Sequence, residues 1–191
     1  MNVYDFDGTI YDGDSTIDFY IFCLKKYPQI IFDLPNQIKG LVLYKIKKIN
    51  KTEFKERFFS FLARVDNIDK IIVQFWNIHE KKIKKWYVKQ HLDTDVVISA
   101  SPEFLLNEVC KRQVILNLIA SDVDKYTGKF ETPNCYGVEK VRRFYLKYPN
   151  GKIDNFYSDS YSDAPLAQIS QKSYKIEKHK IENWNIKSKE K

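Results

Sequence analysis

Apolar and polar positions along this chain follow two rhythms, and the rhythm changes twice. The opening stretch Asn2-Val3-Tyr4-Asp5-Phe6 is a short β-branched and aromatic run that ends in Asp-Gly-Thr turn chemistry, which predicts a buried strand. From about residue 14 to residue 90 the apolar residues recur at helical spacing, through Ile17, Tyr20, Ile21 and Leu24, and again through Phe54, Phe58, Phe61 and Leu62. The same period predicts a third helix over 69–88, with Ile72, Phe75, Trp76, His79 and Ile83 along one face.

Strand grammar then returns. Asp95-Val96-Val97-Ile98-Ser99 is a compact β-branched run, and Ser101-Pro102-Glu103 opens a helix to about Lys111, with Pro102 where a first turn tolerates it. The next expected strand is 114–120, and Gly128 marks a hairpin or loop. Gly137 precedes a helix to about Tyr148, and 153–157 is another strand. Residues 163–169 form a short helix and 173–177 a last strand. Strands alternating with helices imply an α/β fold, a mainly parallel sheet covered on both faces in three α/β/α layers. The helical block 14–90 interrupts this core, leaving 1–13 and 91–191 as the α/β part. Parallel sheets bind ligands at the carboxyl ends of their strands, so a block inserted after the first strand lies over that end as a cap.

Composition narrows the classes. With 43% hydrophobic and 15% aromatic residues over 191 positions, the chain can fill a core. The formal charge of +7 suits an anionic substrate, a nucleic acid or an acidic membrane surface. Lys81–Lys85 and the tail 187–191 read as solvated charge, and there are no Arg-Gly-rich or repeated basic-aromatic elements to favour nucleic acid. Cys23, Cys110 and Cys135 lack metal-type spacing and fit reduced core thiols in a cytoplasmic protein. No secretory leader precedes the first strand. The stretch Ile30–Ile49 is broken by Asp33, Pro35, Lys39, Lys45, Lys47 and Lys48, so it cannot span a bilayer. It remains compatible with peripheral contact to an anionic membrane.

The candidate chemistry clusters at strand ends. Asp5 and Asp7 alternate along one strand and so project to one side. Two neighbouring carboxylates repel unless a cation joins them, and a hard divalent ion such as Mg2+ fits oxygen ligands at a phosphate site. One carboxylate can then attack phosphorus while the other handles the leaving-group proton. Ser99 follows a buried strand, and its hydroxyl with the adjacent N–H groups, including that of Ala100, can bind phosphate oxygens. Ser101 is the alternative hydroxyl, or a helix cap. Lys140 near the start of a helix opposes the helix dipole, which makes sense if it faces an anion. Asp159 and Asp163 follow another strand, where Asp159 can complete a metal shell and Asp163 can hold Lys140 or cap the next helix.

In order and position these elements resemble the haloacid dehalogenase-like phosphatase superfamily, and within it the phosphoserine-phosphatase-like branch with a helical cap after the first strand. Thr127-Gly128-Lys129 and Asn134-Cys135-Tyr136-Gly137-Val138-Glu139-Lys140 also look like this branch. The resemblance implies a Rossmann-like core, Asp5 as nucleophile, and Asp7 as general acid and base with its carbonyl on Mg2+. It further implies phosphate binding by Ser99 and Lys140, and an acidic motif at Asp159 and Asp163. Ser158 stands where many relatives have glycine. The cap-entry acid that recognises a substrate ammonium falls on Asp14, which can equally cap a helix, and Arg57 is a candidate for a substrate carboxylate or phosphate. The implied substrate is a small phosphorylated metabolite, phosphoserine or another alcohol phosphate. A lipid-headgroup phosphate, or non-catalytic binding of nucleic acid, are the alternatives.

Overall fold

The structure is a computed structural model describing residues 1–178 and 180–185; the Lys-rich segment 187–191 lies outside the described residues. Strand β1 (Asn2–Tyr4) leads into five helices, α1 (Ser15–Lys26), α2 (Leu34–Lys45), α3 (Lys51–Phe59), α4 (Ile68–His79) and α5 (Lys85–Gln90). The core then continues as β2 (Val96–Pro102), α6 (Glu103–Arg112), β3 (Asn117–Ser121), α7 (Val138–Lys147), β4 (Ile153–Ser158), α8 (Ala164–Ile169), β5 (Ser170–Glu177) and β6 (Lys180–Asn183). Among the described residues the strands form one sheet in the order β3-β2-β1-β4-β5-β6. All pairings are parallel except that of β6, an antiparallel edge strand the sequence pattern did not predict.

Side-chain alternation explains the layers. In β1, Val3 faces a cluster with Val96, Ile98, Phe144, Phe156 and Leu166, under α7 and α8. Tyr4 points the other way, into a cluster with Val97, Leu105, Phe75, Trp76 and Tyr87. A strand buried on both faces needs a continuous apolar run, which Val96-Val97-Ile98 supplies. Each such side chain withdrawn from water contributes about 1.5–3 kcal/mol. Because successive strands run from β1 to β2 and β3 on one side, and to β4 and β5 on the other, the order reverses at β1. The crevice at its carboxyl end is where open α/β sheets hold ligands.

The inserted helices differ from expectation in two ways. Of the α1 stripe, Ile17 and Ile21 are exposed while Tyr20 and Leu24 pack at the edge of the core, and the fully buried face is Ser15, Thr16, Phe19 and Cys23. The helix expected over 69–88 is broken after His79, and the chain extends at Ile83 and Lys84 before α5 starts. The break ties the loop after β1 to the cap: Lys84 N donates to Ile10 O at 2.8 Å and Asp12 N to Lys82 O at 2.9 Å. Beyond it Tyr87 meets Tyr4 edge to face at 5.0 Å, and Trp76 Nε1 donates to Leu105 O at 2.7 Å. Thus α4 and α5 pack on the sheet, while α1, α2 and α3 overhang its carboxyl end.

The loop between β3 and α7 clasps α3. Phe130 N donates to Glu56 Oε1 at 3.1 Å and Asn134 N to Thr52 Oγ1 at 3.0 Å. Gly128 closes the contact with φ +74°, and a Cβ there would stand 2.4 Å from the Phe59 carbonyl oxygen. Any side chain meets both left-handed strain and a backbone clash. Gly128→Ala is expected to lower unfolding free energy by about 2 kcal/mol or more in urea titration; unchanged stability would show that the clasp contributes nothing.

Candidate active site

Asp5 continues the β1 ladder by one bond, from its N–H to Tyr157 O at 2.9 Å, and there the strand ends. The chain turns sharply, with Ile10 and Tyr11 N–H groups both on Phe6 O and Gly8 at φ +72°. A Cβ on Gly8 would lie 2.0 Å from Asp159 Oδ2, so the carboxylate at the end of β4 occupies the space that glycine leaves. The pairing of β1 with β4 brings Asp159 to the Asp5–Gly8 loop, and Asp159 N also donates to Thr9 Oγ1 at 2.9 Å.

Lys140, in the first turn of α7, is buried and donates to Asp5 Oδ1 at 2.7 Å and Asp163 Oδ2 at 2.8 Å. Ser158, at the position noted for glycine in relatives, donates to the same Asp163 oxygen at 2.8 Å. Its hydroxyl therefore takes part in the charge network. Asp7 rests on the N-terminus of α1, accepting from Ser15 N at 2.6 Å, and its other oxygen accepts from Ser101 Oγ.

The hydroxyl pair of β2 divides its roles. Ser99 Oγ is buried and accepts from Ser101 N at 3.0 Å, and it does not line the cavity. Ser101 and Ala100 do, and Ser101 Oγ also meets Thr16 Oγ1 at 2.9 Å. The register of β2 against β3 shifts between Ile98 and Pro102, which re-aims these side chains away from simple alternation. Asp14 lines the cavity and caps α1, its Oδ1 accepting from Ile17 N at 3.0 Å. Arg57 is a correction. It is not among the cavity-lining residues, donates to Asn36 Oδ1 at 2.8 Å and packs its stem on Gly40, joining α3 to α2.

Other site-bordering lysines were not singled out in the sequence. Lys55, two residues before Arg57 and on nearly the opposite side of α3, lines the cavity and donates to Ala100 O at 2.7 Å and Asn134 Oδ1 at 3.0 Å. Lys84 sits in the run read as solvated, yet it is buried and donates to the carbonyls of Gly8 and Lys178. No local signal marked it, because the break at Ile83 and Lys84 depends on bonds to the loop after β1.

Burial governs the electrostatics. It pushes the Asp7 carboxyl up to about 6, helped by the charge of Asp14 and opposed by the hydrogen bonds from Ser101 and Ser15. An acid poised there can both give and take a proton near neutrality. For Asp5 burial raises the pKa to about 8, against the pull of Lys140. Lys140 is raised by the charges of Asp5 and Asp163, which outweigh its own desolvation. The two directions conflict over one proton. The 2.7 and 2.8 Å contacts favour the ammonium with ionised carboxylates, since an ammonium has three donors and needs acceptors. Burial lowers Lys55 to about 8, with Lys51 adding to the effect.

The acidic groups offer only oxygen donors, the chemistry that suits Mg2+. Asp163 Oδ1 is buried without a hydrogen-bond partner, and burial raises the Asp159 carboxyl, both signs of negative charge short of compensation. Among the described residues no three His, Cys, Asp or Glu side chains are grouped as a metal cluster. Asp5, Asp7 and Asp159, the residues that the resemblance assigns to Mg2+, all line the cavity and would be the ones to hold such an ion.

A mainly parallel sheet with this acid–lysine constellation at its switch point defines a hydrolase of α/β type. The model of the haloacid dehalogenase-like hydrolases matches residues 3–168, and the chain belongs to that family. Five helices are inserted between its first and second strands. A protein of unknown function from Bordetella pertussis Tohama I is similar in fold, with a TM-score of 0.74 and 19% identity over 91% of this chain and 87% of that one. A phosphoserine phosphohydrolase-like protein from Francisella tularensis subsp. tularensis SCHU S4 has a TM-score of 0.54 and 15% identity, over 91% and 86% of the two chains. No curated protein matches the chain in sequence.

Removing the shared cation tests the electrostatic reading. Lys140→Met leaves Asp5 and Asp163 buried without their partner, and is expected to cost about 3–5 kcal/mol near pH 8 in chelator-treated protein. Burial already holds the folded-state Asp5 carboxyl above its unfolded value, and without the ammonium the main opposing charge is gone. The variant should then regain stability as pH falls towards 5 and Asp5 protonates. Urea titrations at pH 8 and pH 5 check this, and an equal deficit at both values would contradict the shared-charge account.

Proposed function

We propose that the protein hydrolyses phosphomonoesters of small alcohols through a phosphoryl group carried transiently on Asp5. The carrying observation is that Asp5, Asp7, Ser101, Lys140 and Asp159 border one cavity at the carboxyl end of β1, with Lys140 Nζ 2.7 Å from Asp5. In the first step an Asp5 carboxylate oxygen bonds to phosphorus, the bond from phosphorus to the ester oxygen breaks, and protonated Asp7 gives its proton to the leaving alkoxide. In the second step Asp7 takes a proton from water, the water oxygen bonds to phosphorus, and the acyl-phosphate bond breaks to restore Asp5.

Lys140 offsets the charge of the phosphoryl oxygens, which otherwise repel anionic Asp5. Ser101 Oγ, with the main chain at Ala100, orients the phosphoryl group, and buried Ser99 supports that turn through the Ser101 N–H. Mg2+ held by Asp5, the Asp7 carbonyl and Asp159 would add further charge neutralisation. Asp163 keeps Lys140 in place. The overhanging helices limit water access, which strengthens each of these interactions.

The substrate in this reading is a small phosphorylated metabolite, and the cytoplasmic setting rests on Cys23, Cys110 and Cys135 being buried free thiols. Nucleic acid is not a required partner. No helix among the described residues is long and apolar enough to cross a membrane.

A screen of phosphomonoesters with and without Mg2+ tests the proposal. The wild-type protein should release inorganic phosphate, and chelation should reduce the rate by at least about 100-fold. Asp5→Asn should reduce kcat by about 1,000-fold or more while leaving the thermal transition cooperative. Substantial turnover by well-folded Asp5→Asn protein would overturn the nucleophile assignment.

A further inference from the structure

The cavity that holds the acids measures about 760 Å3, far more room than a phosphate group needs, and the remainder has a marked chemical character. Away from β1 its wall is made by Ile17, Leu34, Ile38, Leu41, Phe54 and Phe58 of the overhanging helices. Several polar groups in this wall are tied to the protein itself. Tyr20 Oη donates to Gln37 Oε1 at 2.9 Å, and Gln37 Nε2 donates to Phe58 O at 3.0 Å. Lys51 Nζ stacks 3.2 Å from the Tyr136 ring centroid, Lys55 is held by Ala100 and Asn134, and Asp14 caps α1. Among the described residues Asp14 bonds through Oδ1 alone and Lys51 has no carboxylate partner, but the larger part of this wall is a preformed hydrocarbon surface.

That wall continues outward. Ile38, Val42 and Ile46 follow one another at four-residue spacing along and just past α2, and all are more than half exposed. Ile38 belongs both to the cavity and to this outer stripe. The apolar lining therefore runs from the phosphate end to the molecular surface without a polar barrier of its own.

We infer that the substrate is a phosphomonoester of an apolar alcohol, whose hydrocarbon portion lies along Ile17, Phe54, Phe58, Ile38 and Leu41 while its phosphate faces Asp5. The inference rests on the hydrolase reading above and adds the leaving-group class to it. Two sources share this chemistry, a free alkyl or aryl phosphate and a bilayer lipid with a terminal phosphate.

Turnover and binding separate the inference from the reading it rests on. With Mg2+ present, kcat/KM is measured for ethyl, butyl, hexyl and octyl phosphate and for O-phosphoserine. Each added methylene should raise it about two- to fourfold until the wall is filled, so that hexyl exceeds ethyl phosphate by about 30-fold. O-phosphoserine should fall with or below ethyl phosphate. In parallel, calorimetry on wild-type protein compares methyl-, butyl- and hexylphosphonate, which cannot be hydrolysed, and affinity should rise with chain length. The double variant Ile38→Ser/Leu41→Ser changes half-exposed positions, and it should lower the octyl-to-ethyl ratio of kcat/KM about tenfold.

Turnover with a flat chain-length profile, or a preference for O-phosphoserine, overturns the inference and leaves the hydrolase reading intact. Absence of turnover with every ester overturns the hydrolase reading, and the phosphonate series still decides the inference, which fails if affinity is independent of chain length. Vesicles containing phosphatidic acid distinguish the sources. Phosphate release from them identifies a bilayer lipid, and activity on octyl phosphate alone identifies a soluble ester.

Discussion

A lysine ammonium shared between two buried carboxylates is the constraint around which this molecule is organised. Lys140 comes from the first turn of α7, Asp5 from the end of β1 and Asp163 from the turn before α8. These elements are far apart in sequence, so the pair forms only when β1 lies between β2 and β4 and α7 covers the sheet. Burial alone would drive such carboxylates to protonate. Their attraction to one cation holds the charge in place. The same arrangement makes the site electrically unfinished, because Asp163 retains an unpartnered oxygen and Asp7 and Asp159 are both raised by burial. A hard cation is the chemical complement of that imbalance.

The cap is bound to this centre more intimately than an appended lid would be. Ser15 N on Asp7 and Thr16 on Ser101 carry α1 into the site, and the Lys84 side chain reaches back to the Gly8 carbonyl. One hydrophobic cluster runs from Tyr4 and Phe6 through Phe19, Phe75 and Trp76 to Leu105. Changes in the cap should therefore be felt at the acids of the site through packing.

Much of this was legible in the sequence, for physical reasons. Doubly buried strands such as Val96–Ile98 must be continuous apolar runs, and the acids that end β1 and β4 stand where such runs stop, so the sheet and Asp5, Asp7 and Asp159 could be read directly. Long-range geometry was not legible. The α1 stripe through Ile17 and Tyr20 had helical period, but periodicity does not tell a core face from a cavity face. The break at Ile83 and Lys84 arises from bonds to the loop after β1, which local pattern does not encode. Arg57 and Lys55 lie two residues apart on α3, and only the packing of Arg57 against Gly40 decides which of them reaches the site. Ser101 lines the cavity and Ser99 does not, beside a register shift that composition leaves no trace of.

The central claim is that a phosphoryl group rests on Asp5, and it can be tested by trapping. An aryl phosphate with a good leaving group needs little protonation to react, whereas hydrolysis of the acyl-phosphate needs a base to activate water. Asp7→Asn protein mixed with such an ester and Mg2+, quenched in acid and digested, should therefore accumulate one added phosphoryl group on the peptide containing Asp5. Reduction of the acyl-phosphate with borohydride should then mark Asp5 itself. A quenched variant that binds the ester yet carries no phosphoryl group, or carries it on Ser101 or another side chain, would contradict the account.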